Sequence, residues 1–363
     1  MADILGKLGL ASHSLGHLVS AVQLGFITGT FTFAIFNVSD RLSPSLVFFI
    51  SAIAGAAANL GIFLANSFTA VLLFRFITGF FLAGIYSVGM KIAADYHRQG
   101  LGKALGYLVG ALVIGTALPH LLKGLTTNLS WHVVIFITSG LAVMGGALIY
   151  LLVPDGPFRN PSSRLEFQAF LKIFRNETFR RAAFGYFGHM WELYTLWAFL
   201  PVILATYSKN HPESVFNISY LTFGIIGIGS VACVAGGYIS RYAGSNKTAF
   251  FSLLLSCLCC LLSPVLFKAP VFIFLGFLFS WGMVVVSDSP QFSTLVAQSA
   301  PAAFKGTALT IVNCAGFLIT IISIQTISYL SQFIPLQYIF VFLAIGPLLG
   351  LLNMAKFRAS KST

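Results

Sequence analysis

Charge is what this sequence has least of. Only 8% of its 363 residues are Asp, Glu, Lys or Arg, against about a quarter in soluble domains. So little charge cannot cover a water-facing surface of this size, which excludes a soluble enzyme and a nucleic-acid-binding domain. Acidic residues are the scarcer sign, 9 against 21 basic ones. In a many-span membrane protein that excess reports the positive-inside rule rather than a nucleic-acid partner. The five cysteines, Cys233, Cys257, Cys259, Cys260 and Cys314, all lie in apolar stretches, and no CxxC pair falls in a polar loop. That pattern argues against a disulfide framework and a zinc site and for small hydrophobes buried in the membrane. Apolar–polar alternation is missing too, which excludes the ~10-residue strands of a membrane barrel.

What is there instead is a series of apolar runs about 20 residues long, the length of a membrane-crossing helix. They are read as 15–36, 45–66, 68–94, 101–122 and 131–153, then 182–207, 217–239, 247–267, 270–298, 306–330 and 336–355. The expected fold is all-α and integral to the membrane, with eleven spans in a five-plus-six arrangement. Residues 1–153 form the first bundle, 154–181 a basic linker and 182–363 the second bundle. Within the linker, apolar residues from Leu165 to Phe174 are spaced either for a short amphipathic helix on the membrane surface or for a plain polar connection. Asp155-Gly156-Pro157 breaks the preceding helix.

Orientation follows from the basic residues. The face carrying loop 37–44 collects Arg41, Arg98, Lys103, the linker cations, Arg241, Lys247, Lys305, Lys356, Arg358 and Lys361; the opposite face collects Lys7, Lys123, Lys209 and Lys268. The first face is therefore expected to be cytoplasmic, with the C-terminus inside and Met1 outside.

Five spans, a basic loop and six spans resemble the Major Facilitator Superfamily, whose members carry two six-helix halves. The loop Phe36-Asn37-Val38-Ser39-Asp40-Arg41 keeps the Asp-Arg core of the family's G-x-x-x-D-R-x-G-R-R motif. Arg75-Phe76-Ile77-Thr78-Gly79 is similar to its R-x-x-x-G signature, and Gly236-Gly237 with Ser240-Arg241 echoes the first-half loop. The stretch Tyr186 to Tyr194 is similar to a bacterial branch near the nitrate and cyanate permeases. The resemblance implies a chain without the family's first helix, either through a start placed late or as a true eleven-span form. It also implies a monomeric transporter in a bacterial inner membrane.

Intramembrane charges are costly and mark paths, relays or gates. The deep ones are Arg75, Glu192 and Asp288. Counted as in the family, their helices are the fourth, seventh and tenth, which line its central cavity. Glu192 lies roughly 15 Å from the cytoplasmic side and Arg75 roughly 10 Å from the outer one at helical rise. Arg75 is expected to hold an anionic solute or to neutralise Glu192. Glu192 is expected to carry a coupling proton, with His189 one turn earlier on the same face as relay. Asp288, between Ser287, Ser289 and Pro290, is expected at a kinked gate. Tyr86, Tyr194 and Trp281 are candidate path-lining aromatics. Gly25, Gly29, Gly106, Gly110 and Gly115 are candidate close-packing positions, and Asp40 and Arg41 the loop motif.

Gly100-Leu101-Gly102-Lys103 lacks a P-loop's first glycine and its Ser/Thr, so no nucleotide, and no cofactor at all, is implied. The expected function is alternating-access transport of a small polar or anionic solute, with protons as the candidate coupling ion. Efflux of hydrophobic compounds, or a non-transporting sensor or truncated remnant, are the alternatives.

Overall fold

The structure is a computed structural model and describes residues 15–97, 101–125, 131–159, 173–301 and 305–359. The proposed surface helix at 164–175 falls almost wholly outside the described residues. Among those residues every regular element is helical. The first bundle is α1 (Leu15–Ile35), a one-turn α2 (Val38–Arg41), α3 (Pro44–Gly61), α4 (Phe68–Tyr96), α5 (Leu101–Leu125) and α6 (Trp131–Leu152). The second is α7 (Glu177–Asn210), α8 (Ile218–Ala243), α9 (Ser245–Leu266), α10 (Val271–Ser287), α11 (Ser289–Ser299), α12 (Lys305–Leu330), α13 (Leu336–Ile339) and α14 (Ile345–Ala359).

Ten of the long helices are apolar enough to cross a membrane, with α10–α11 and α13–α14 each counting as one span. The eleventh, α7, is less apolar because it sits inside its bundle, where neighbours rather than lipid meet its polar groups; His189, Glu192 and Thr195 are all buried.

Local chemistry sets the ends. The Asn176 side chain accepts from Thr178 and Phe179 N–H at the start of α7, and Asn217 does the same for Ser219 and Tyr220 at the start of α8. Ser67 caps α4 through Ala70 N–H. These oxygens satisfy amides that a helix start leaves without partners. Pro44, with φ preset for a first turn, opens α3.

Packing in the first bundle runs backbone to backbone. A Cβ added at Gly25 would lie 2.0 Å from the Phe76 carbonyl oxygen, at Gly29 2.3 Å from that of Phe80, and at Gly79 2.0 Å from that of Val22. Helices α1 and α4 are in van der Waals contact there, as small residues allow in a bilayer. Gly115 behaves otherwise. Nothing lies within 4 Å of its added Cβ, so it does not serve helix packing and that expectation is corrected.

The two bundles meet along two seams. On one, α5 packs against α8, with Gly106 facing the Cys233 carbonyl oxygen and Gly110 that of Ser230, each 3.2 Å from an added Cβ. On the other, α1 packs against α12, where Gln325 Nε2 donates to Ser20 Oγ at 2.8 Å and the Phe26 and Phe317 rings lie 4.3 Å apart.

Polar contacts tie one end of the first bundle. Ser43 Oγ donates to Asp155 Oδ1 at 2.7 Å, Tyr96 donates to the Pro154 carbonyl at 2.6 Å, and Arg159 donates to the Leu42 carbonyl at 2.8 Å while pairing with Asp155. Phe158 N–H donates to the Asp95 carbonyl at 3.0 Å, and Lys91 pairs with Asp95 at 3.5 Å. Asp155, read from sequence as a helix breaker only, is thus also a tether. Arg41 is exposed on the adjoining turn, while the Asp40 side chain lies outside the described residues.

Candidate functional site

Where the seams converge, side chains from both bundles enclose a narrow void. Tyr86 of α4 and Val109 and Leu112 of α5 supply one wall. Tyr186, Met190, Tyr194 and Trp197 of α7, Val286 and Ser289 beside the break between α10 and α11, and Phe317 of α12 supply the other. Rings dominate: Tyr194 lies 5.4 Å from Phe317 and 5.3 Å from Trp197 between centroids, and Phe26 bridges Phe317 to Tyr86 at 6.2 Å. The space is about that of a single water. Tyr86 and Tyr194 stand where the sequence placed them. Tyr186 and Phe317 were not singled out, although Tyr186, Met190 and Tyr194 repeat every fourth residue and so share one helix face.

Trp281 is not on this wall. Its indole Nε1 donates to Glu192 Oε1 at 2.6 Å, inside the second bundle. Ser256 Oγ donates to the same oxygen at 2.5 Å and Cys260 Sγ at 3.3 Å. Glu192 is therefore an acceptor that joins α7 to α9 and α10, and Arg75 is not among its partners. The expected Arg75–Glu192 neutralisation is corrected: the donors come from within the carboxylate's own bundle. Ser256 was not singled out and Cys260 was read only as a cysteine in an apolar stretch; the signal was an i, i+4 pair of hydrogen-bonding side chains in an otherwise apolar span.

His189 is likewise redirected. It lies three residues before Glu192, but it faces Asp288, at the break between α10 and α11, rather than the Glu192 carboxylate. Its Nδ1 sits 2.8 Å from Asp288 Oδ1, with both side chains 1% exposed. The contact is short but off-axis, and neither group meets hydrogen-bond geometry. Asp288 occupies the single residue between α10 and α11, and Pro290 follows in the first turn of α11. The kink expected there is present.

Arg75 stands apart. Its Nε is shielded from solvent with no hydrogen-bond partner, and among the described residues the guanidinium makes no ion pair. No group of three or more His, Cys, Asp or Glu able to hold a metal occurs among the described residues.

Two bundles of membrane-length helices that meet around an aromatic void, with ionisable groups buried beside it, have the architecture of a membrane transport protein. The chain belongs to the Major Facilitator Superfamily, whose family model matches residues 1–324. Its sequence is 24% identical over 160 residues to an uncharacterized transporter of Buchnera aphidicola subsp. Schizaphis graminum, a match taking in 43% of this chain and 38% of that protein. Its fold is similar to the crystal structure of the human organic anion transporter MFSD10 (TETRAN), with a TM-score of 0.73 at 18% identity, covering 97% of this chain and 87% of that one.

Proposed function

We propose that the protein is a secondary transporter that moves a small anionic solute by alternating access, with protons as the coupling ion. The observation that carries this reading is Arg75, whose buried Nε has no hydrogen-bond partner and whose guanidinium makes no ion pair among the described residues. A cation held among membrane helices needs an anion or water, and no carboxylate among the described residues pairs with it. A solute carboxylate, or an oxyanion of similar shape, suits the guanidinium's planar fork. The void between the bundles supports a path that opens alternately to each face as the α5–α8 and α1–α12 seams separate. His189, Glu192 and Asp288 are the buried groups able to carry a proton. By the distribution of basic residues, the Ser43–Asp155 end and the C-terminus face the cytoplasm of a bacterial inner membrane. The protein acts as a monomer in this reading, since one chain supplies every group named.

The test is a thermal-shift panel of small carboxylates, nitrate, sugars, amino acids and lipophilic cations on the purified protein. An anion should raise the melting temperature of the wild type and fail to do so for Arg75→Gln. Removing one partner of a buried charge pair costs about 2 kcal/mol or more, roughly 30-fold in affinity. Stabilisation by lipophilic cations alone would favour the second reading, efflux of hydrophobic compounds, which the aromatic wall of the void supports.

A further inference from the structure

The break in the ninth span, between α10 and α11, is unusual in how it is held. Pro290 has no N–H to give to the Val286 carbonyl four residues earlier, and its ring crowds that oxygen. Helix α10 accordingly stops at Ser287, and α11 restarts at Ser289 with the Asp288 carbonyl accepting from both Gln291 and Phe292 N–H, at 3.0 and 2.9 Å. Helix α8 stitches one side. Cys233 Sγ donates to the freed Val286 carbonyl at 3.4 Å, and Gly236 brings only backbone to the Ser287 carbonyl, 3.0 Å from an added Cβ.

On the side of α7, His189 approaches the break without a well-formed bond. Both ring nitrogens of His189 and both carboxylate oxygens of Asp288 lack hydrogen-bond geometry despite their 2.8 Å approach. Gln291, 0% exposed and nearly one turn further along α11, also leaves both amide atoms unpartnered. Buried polar atoms are paired in the great majority of cases. Three neighbouring side chains that fail together mark a site with hydrogen-bonding capacity left unused in this arrangement of the helices.

The geometry points to this break as a proton-operated joint, with His189 and Asp288 as its switch. It rests on the transport reading and deepens it, because it assigns proton coupling to this pair and leaves Glu192 as an internal tie. A neutral imidazole beside a carboxylate carries one negative charge. One proton taken from water onto the imidazole makes an imidazolium–carboxylate pair of no net charge, whose attraction is strong away from water. Proton uptake draws α7 onto the break, and proton loss releases α11 to pivot at Pro290. The movement reaches the void directly, since Val286 and Ser289 flank the break and line it, and Tyr186 of the same wall lies 6.0 Å from His189 between ring centroids. The other titratable groups around the pair are Tyr186 and Glu192 from α7 and Cys233 from α8, with Cys314 of α12 behind Tyr186. No lysine or arginine among the described residues acts on Asp288, and no charged group of α5, α9 or α12 contacts it.

Hydrogen–deuterium exchange of the segment 284–294 tests this in lipid nanodiscs between pH 5 and pH 8, with intrinsic rates divided out. No solute is present, so the outcome does not depend on the identity of the transported anion. The wild type should gain about fivefold or more in protection as pH falls, a difference on the order of 1 kcal/mol in opening. Asp288→Asn and His189→Gln should each flatten that profile, while Glu192→Gln keeps it. Should Asp288→Asn fail to assemble, His189→Gln decides. A flat wild-type profile, a step that survives in the His189 and Asp288 variants, or a step removed by Glu192→Gln would overturn the assignment. If exchange behaves as stated while Arg75→Gln still binds and moves anions, the joint stands and the assignment of Arg75 to the anion falls; if no anion binds or moves in the wild type, the joint stands and the anion reading falls.

Discussion

Glu192 Oε1 collects an indole N–H, a hydroxyl and a thiol from two other helices. Hydrogen bonds to a charged acceptor contribute about 1.5–3 kcal/mol, and donors left unpaired in the interior cost a similar amount. Trp281→Phe keeps most of the ring and removes only the N–H. It should lower stability in detergent by about 1–3 kcal/mol, read as a lower melting temperature. A double-mutant cycle of Trp281→Phe with Glu192→Gln should show coupling of about 0.5 kcal/mol or more; additive effects would mean that the short contact does no energetic service. The sequence displayed Arg75, Glu192 and Asp288 plainly, because charge inside a 20-residue apolar run stands out. It could not display their partners. Helix α7 is buried around most of its girth, so no polar face marks which neighbour each side chain meets. His189 and Glu192, three residues apart, consequently went to different helices.

Among the elements, the spans were legible because the bilayer demands one long apolar run for each crossing, and the observed helices follow those runs closely. The break between α10 and α11 was legible for the same kind of reason, since a proline inside a span leaves a carbonyl without its donor. Glycines were legible only in part. Spacing proposes which of them permit close approach, but only the neighbouring backbone decides. Gly79→Ala should force α1 from α4, because its methyl would meet the Val22 carbonyl oxygen, at a cost of about 1–3 kcal/mol or more. Gly115→Ala meets nothing and should stabilise α5 by about 0.5–1 kcal/mol. Melting temperatures of the two variants, measured side by side, should move in opposite directions; a fall of equal size in both would contradict the packing described.

At the scale of the molecule, two bundles share two seams, and the void where they converge is closed to about one water in this arrangement. The tether through Ser43, Asp155 and Arg159 joins the loop after α1 to the end of α6 within a single bundle, so it shapes one face of the protein without bridging the seams. Asp155→Asn should therefore loosen that end, read as faster proteolysis near residues 154–159, while the melting temperature of the whole protein falls little. The central claim is that Arg75 receives an anion carried between these bundles. Anion-dependent currents of proteoliposomes on a solid-supported membrane test it most directly. The wild type should give a transient current with at least one small carboxylate or oxyanion, Arg75→Lys a reduced one, and Arg75→Gln none at equal incorporation. A full anion-dependent current from Arg75→Gln, or wild-type currents evoked only by neutral or cationic compounds, would contradict it.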